Sequence, residues 1–209
     1  MSLPSKLHKA FIVLSLALMP SFAGAYDLRW GATLGYGGAG VKETTDVAGT
    51  KTSVQKSEGP GVASLFIENL LDDSFTLGAE HSVGFRFGPF SAGVSFTGIT
   101  GRWYVYGPAI FRTAEAGNNG TYFVKRYAPF YGAAGGIASA YITRTNDLVQ
   151  TISTSGVYAG FKGGVDYSYQ PDMIFRYEAV YNTTFFSNVS TPATLSEFAL
   201  QFGVYFFYK

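Results

Sequence analysis

Residues 196–209, SEFALQFGVYFFYK, separate two at a time into an apolar and a mixed set. Phe198, Leu200, Phe202, Val204, Phe206 and Tyr208 share one face, and Glu197, Ala199, Gln201, Gly203, Tyr205 and Phe207 the other. A period of two with one oily side predicts a half-buried β-strand. The same rhythm recurs along the chain in stretches of about ten residues, the length of a tilted membrane-spanning strand. Residues 26–37 set Tyr26, Leu28, Trp30, Ala32, Leu34 and Tyr36 against Asp27, Arg29, Gly31, Thr33 and Gly35. Residues 60–70 and 75–87 alternate likewise, with Ser64, Phe66 and Glu68, then Glu80, Ser82 and Arg86, on the mixed sides.

A fourth strand is expected from near Ile99 toward Arg112, with Arg102, Tyr104 and Tyr106 opposite Trp103 and Val105. The apolar stretch 122–142 is too long for one span and contains Pro129, which predicts a bulge or projection around a core at 128–140. Strands at 156–169, 173–185 and 196–209 complete eight. Segments 38–59, 88–98, 143–155 and 187–195 are expected as loops. Tight turns are expected at 71–74, 114–120 and 170–172, where Asp, Asn, Gly, Ser and Pro cluster. Alternating short and long connections predict an all-β, eight-stranded antiparallel up-and-down barrel with both termini on the short-turn side.

Composition turns that barrel toward a membrane. Charged residues are 14% of the 209, aromatics 17%, and glycines number 26. Soluble domains carry about 25% charged residues. No apolar run after the N-terminus escapes interruption by glycine, charge or a turn, so a spanning form has to be a closed barrel. A soluble barrel would have to pack the aromatic face inward, where eight strands leave room only for ordinary side chains. The glycine-rich face suits that narrow interior better. With no cysteine there is no disulfide framework or thiolate metal site.

The N-terminus reads as an export signal. Lys6, His8 and Lys9 precede an apolar run from Ala10 to Met19, and Ala23-Gly24-Ala25 offers small residues for cleavage after Ala25. Removing residues 1–25 leaves 13 basic and 14 acidic residues, with no footprint for nucleic acid. Gln201, Gly203, Phe206 and Tyr208 then resemble, in order and spacing, the C-terminal β-signal by which bacterial outer-membrane barrels are recognised by their insertion machinery. Lys209 follows the aromatic on which most such signals end. Signal peptide, strand rhythm and terminal signal together resemble the small eight-stranded OmpA and OmpX type of barrel. That resemblance implies a bacterial outer-membrane location, with membrane lipid and the barrel assembly machinery as partners, and a monomer.

Function is expected in the interior or the loops. The mixed face collects Arg29, Glu68, Glu80, Arg86, Arg102, Lys162, Asp166, Arg176, Glu178 and Glu197, five basic and five acidic residues. Charges so confined must pair to offset desolvation, which favours a salt-bridged plug and a structural or surface-contact role over a narrow channel for small solutes. A lipid-modifying enzyme is the third alternative. His81, the histidine left after cleavage, lies between Glu80 and Ser82, which alternation sends to the opposite face, so no local triad forms. Gly35-Tyr36-Gly37-Gly38-Ala39-Gly40 fits a dinucleotide-loop spacing, but no helix follows. No catalytic, cofactor or metal residues are expected.

Overall fold

The computed structural model describes residues 28–47, 50–58, 61–85, 90–112, 122–146, 148–170, 173–186 and 193–207. They form strands and turns only. In chain order these are β1 (Leu28–Val47), β2 (Thr50–Glu58), β3 (Gly61–Leu70), β4 (Phe75–Phe85), β5 (Phe90–Tyr104), β6 (Ile110–Arg112), β7 (Tyr122–Val124), β8 (Tyr127–Asn146), β9 (Leu148–Gln170), β10 (Met173–Phe186) and β11 (Ala193–Phe207). β2 and β3 pair in succession with the upper and lower parts of β1 and so make one wall strand. Pairing continues through β4, β5, β8, β9, β10 and β11, and β11 returns to β1 from Arg29↔Phe207 to Glu43↔Ala193. The sheet is therefore a closed barrel of eight antiparallel wall strands, which leaves no edge around its circumference. β6 and β7 form a separate two-stranded ribbon within the β5–β8 connection.

Alternation sorts the side chains as the pattern predicts. Trp30, Leu34, Phe161, Tyr177, Phe198, Leu200 and Phe202 point outward, with Phe161 71% and Leu200 60% exposed. Outward rings meet across strands, as in Trp30–Phe206 at 5.3 Å and Phe175–Phe202 at 5.6 Å. So continuous an apolar surface is out of place against water and matches the hydrocarbon band of a bilayer. Inward positions hold the buried polar groups and two apolar clusters. One cluster is Phe66, Tyr104, Ala109, Ala128, Phe130, Ile174 and Tyr205, at the termini end, where β1 begins and β11 finishes. The second, around Phe96, Tyr158, Phe186 and Leu195, fills the other half.

Several expected loops are strand. Segment 38–59 continues β1 to Val47 and returns as β2, paired from Ala39↔Glu58 to Val47↔Thr50. Polar residues on both faces hid this ladder, because a hairpin that has left the apolar band satisfies its backbone without an oily side. Segment 88–98 lies mostly in β5, which starts at Phe90; Gly93 and Gly98 look like turn residues but are held by β4 and β8. The Thr- and Ser-rich 143–155 is the tip of the β8–β9 hairpin, paired as far as Asn146↔Leu148. β11 likewise begins within 187–195, at Ala193.

The short-turn end is closer to expectation. At 71–74 the chain reverses with Leu71 N–H donating to Phe75 O at 3.0 Å, while Ser74 N–H donates to an Asp72 carboxylate oxygen at 2.7 Å. That backbone hydrogen bond, joined by the Ser74 hydroxyl, holds the Asp72 carboxyl below its usual range. Segment 122–142 divides at Lys125 and Arg126. Its first three residues belong to the ribbon, and Pro129 sits one step past Tyr104↔Phe130, where the ladder with β5 ends. The expected turn 114–120, the export signal 1–25 and residues 171–172 lie outside the described residues.

Candidate functional site

The interior of the termini end is built around three arginines. β5 supplies Arg102, β10 supplies Arg176 and β1 supplies Arg29, each at an inward position and each no more than 1% exposed. Arg176 reaches Asp166 on β9 with two nitrogens, Nε to Oδ1 at 2.9 Å and Nη2 to Oδ2 at 3.0 Å, a bidentate fork. Its Nη2 also donates to Glu68 Oε1 at 2.9 Å. The other Glu68 oxygen accepts from Arg102 Nη1 at 2.7 Å, so one carboxylate on β3 joins two arginines from opposite walls. Arg102 Nη2 extends the chain to Glu178 at 3.3 Å and Glu80 at 3.4 Å, and Glu80 in turn pairs with Lys162.

Aromatic rings line this layer. The Arg176 guanidinium lies 4.7 Å from the Tyr205 ring centroid and 4.8 Å from that of Phe66, and Arg102 lies 5.4 Å from Phe66. Arg29 faces Tyr205 and Tyr104 at 5.8 and 6.0 Å. Such cation–π contacts gain strength when desolvated. Tyr104 and Tyr205 each donate their hydroxyl to Asp166 Oδ2, at 2.7 and 2.9 Å, saturating that carboxylate. Room for the layer comes from small neighbours: a Cβ on Gly164 would stand 2.9 Å from both the Phe130 ring and Glu178 Cα. Above the ions, Thr33 and Ser64 donate to Gln201 Oε1, and Ser64 also meets Ser82 at 3.0 Å.

Of the ten residues expected inside, Arg29, Glu68, Glu80, Arg102, Lys162, Asp166, Arg176, Glu178 and Glu197 are buried on the interior face. Seven of these nine are joined by ion pairs: Glu68, Glu80, Arg102, Lys162, Asp166, Arg176 and Glu178. Arg29 joins the layer through the two tyrosine rings. Glu197 lies higher, beside Gly84, with no ion pair to the layer. Arg86 lies outside the described residues. Without Glu197 the layer holds four basic and four acidic side chains, a neutral set among the described residues.

Sequence reasoning passed over Tyr104, Tyr205, Phe66 and Phe130. The inward parity of Tyr104, Tyr205 and Phe66 was visible, but nothing in the pattern says that a ring will cover an arginine on another strand. Of the terminal-signal residues, Gln201 is the acceptor just described, Gly203 faces inward opposite Thr33, and Phe206 packs outward on Trp30. Tyr208 lies outside the described residues. His81 points outward, with Nδ1 2.8 Å from Thr97 Oγ1, while Glu80 and Ser82 are buried inside. Among the described residues no group of three or more His, Cys, Asp or Glu is placed to hold a metal ion.

No family model matches the chain, and no curated protein matches it by sequence. Its fold is found among solved structures. Neisserial surface protein A superposes with a TM-score of 0.57 at 14% identity, covering 88% of this chain and 99% of that one. The attachment invasion locus protein Ail of Yersinia pestis aligns at 14% identity and a TM-score of 0.45, over 86% of this chain and 99% of Ail. OprG from Pseudomonas aeruginosa aligns at 11% and 0.45, over 88% and 97%. The likeness is one of fold, that of a small eight-stranded outer-membrane barrel.

Proposed function

We propose that the chain is an integral protein of the bacterial outer membrane whose ion-paired interior is a structural plug. Its outward work is surface contact by the end that carries the long hairpins. The observation that carries the plug is the self-neutral layer of four basic and four acidic side chains, each at most 8% exposed. A conducting path lined by one sign of charge would leave those groups wet and unpaired. Here the carboxylates of Glu68 and Asp166 are each shared by at least two donors, and rings cover the arginines. Desolvated charges of this kind are tolerated only when paired, which favours a rigid core over a gate.

Surface contact is supported by shape. The β1–β2 ladder reaches Val47↔Thr50 and the β8–β9 ladder Asn146↔Leu148, both on the side away from the 71–74 turn. A non-enzymatic role fits the outward His81, whose ring is turned from the interior carboxylates. Planar-bilayer recording tests the plug against the narrow-channel alternative: the plug reading expects no steady conductance from the folded wild type.

A further inference from the structure

At the termini end, the connection between β5 and β8 brings Arg126 to the outer rim. Its carbonyl accepts Ser168 N–H at 3.1 Å, and the N–H of Lys125 donates to Ala109 O at 2.7 Å, so the backbone on both sides of the side chain is fixed. The guanidinium carbon stands 5.9 Å from the Tyr127 ring centroid and 5.8 Å from that of Tyr167, two rings that themselves meet at 5.2 Å. A hydrogen bond with Tyr167 raises the Arg126 pKa further, so it is a permanent cation held in one place. Tyr127 is exposed on the lipid-facing wall.

Directly above, the outer wall loses its bulk. Tyr131 pairs with Gly163 and Gly135 with Ala159, with Ala133 between them on β8, while Trp103 stacks on Tyr131 at 5.9 Å to one side and Phe161 projects on the other; Gly101, opposite Ala133, is covered by the Phe75 ring. A Cβ on Gly163 would have only Phe130 O, at 3.9 Å, near it, so the surface there is a shallow trough.

We propose that Arg126 is the phosphate-binding residue of a phospholipid site on the outer wall, with an acyl chain lying in the trough of Gly163, Ala133 and Gly135. A guanidinium that rests on rings and spends one N–H on Tyr167 keeps the others for the fork that matches a phosphate. The strand rise of about 3.3 Å per residue puts the trough within reach of a chain hung from that phosphate. Of the acids at this end, Asp72 is turned onto Ser74 in the 71–74 turn. The ligand's source is the membrane leaflet on the side of the termini. This inference rests on the membrane reading proposed above.

The test uses the purified full chain in detergent, with bound lipid counted by native mass spectrometry. Phosphatidylglycerol, diacylglycerol with the same chains and inorganic phosphate are offered in turn. The wild type should retain one phosphatidylglycerol at least about tenfold more tightly than diacylglycerol. Arg126→Gln should fall to the diacylglycerol level, and Arg126→Lys, which keeps the charge but not the fork, should lie between. Unchanged retention by Arg126→Gln would overturn the site, and displacement of the lipid by inorganic phosphate at equal concentration would reduce it to a simple anion contact and overturn the trough. Gel migration before and after heating is recorded for every variant. A wild type with no heat-dependent shift would sink the membrane reading, and this site with it, whereas a normal shift with no lipid preference would sink the site alone.

Discussion

Asp166 and Arg176 form a two-nitrogen fork at 2.9 and 3.0 Å between neighbouring strands, capped on the carboxylate by the hydroxyls of Tyr104 and Tyr205. Both residues are fully buried. Asp166→Asn removes the charge that Arg176 was desolvated to meet. Breaking a buried pair in this way costs about 3 to 5 kcal/mol. Urea unfolding of the barrel in detergent or lipid vesicles should show that loss, and a change under about 1 kcal/mol would mean that water fills the layer.

Partners predict a ranking within the layer. Glu68 joins Arg102 and Arg176 at 2.7 and 2.9 Å, whereas Glu178 meets Arg102 only at 3.3 Å and Arg102 keeps Glu68 without it. Glu68→Gln should therefore lower the unfolding midpoint more than Glu178→Gln, both measured in the same lipid. The reverse order would contradict the bridging role given to Glu68. A Glu178→Gln barrel that keeps its midpoint but alters ion selectivity would replace the plug by a wet channel.

Part of this was legible in the sequence and part was not, for physical reasons. Alternation in a strand is local, so the outward Trp30 and Phe202 and the inward Arg102 and Arg176 followed from parity alone. Which charge meets which depends on register between strands far apart in the chain: Arg102 and Glu178 are 76 residues apart and touch across the lumen. The hairpin tips were missed because, outside the apolar band, polar residues such as Lys42 and Thr143 hide a ladder that the backbone still makes. The ribbon of β6 and β7 gave no signal that its connection would bring Ala109 into the termini-end cluster.

That connection supplies another prediction. Gly107 has a φ of +82°, the left-handed region, and a Cβ there would stand 2.9 Å from Asp73 O. Gly107→Ala should destabilise the barrel by about 1 kcal/mol or more, with the loss confined to the termini end. Hydrogen exchange should locate it in 105–112 and 122–126, and uniform loss of protection around the wall would contradict the assignment.

The terminal strand is testable through assembly. Phe206 lies on Trp30, so its loss removes a ring contact at the β1–β11 closure as well as an element of the proposed β-signal. Phe206→Ala with Tyr208→Ala should reduce the yield of heat-shifted barrel in the outer membrane, while deletion of Lys209 should leave it unchanged. Wild-type yield in the double variant would show that neither the signal nor the closure depends on these rings.

The central claim is that the barrel is closed inside by its own charges. Single-molecule recording in planar bilayers, on wild-type protein shown to be folded by its heat-dependent gel shift, tests it most directly. The plug predicts long traces without steady conductance, and opening events that appear only once a pair is broken, as in Asp166→Asn. A steady, ohmic conductance in the wild type that Asp166→Asn leaves unchanged would contradict it.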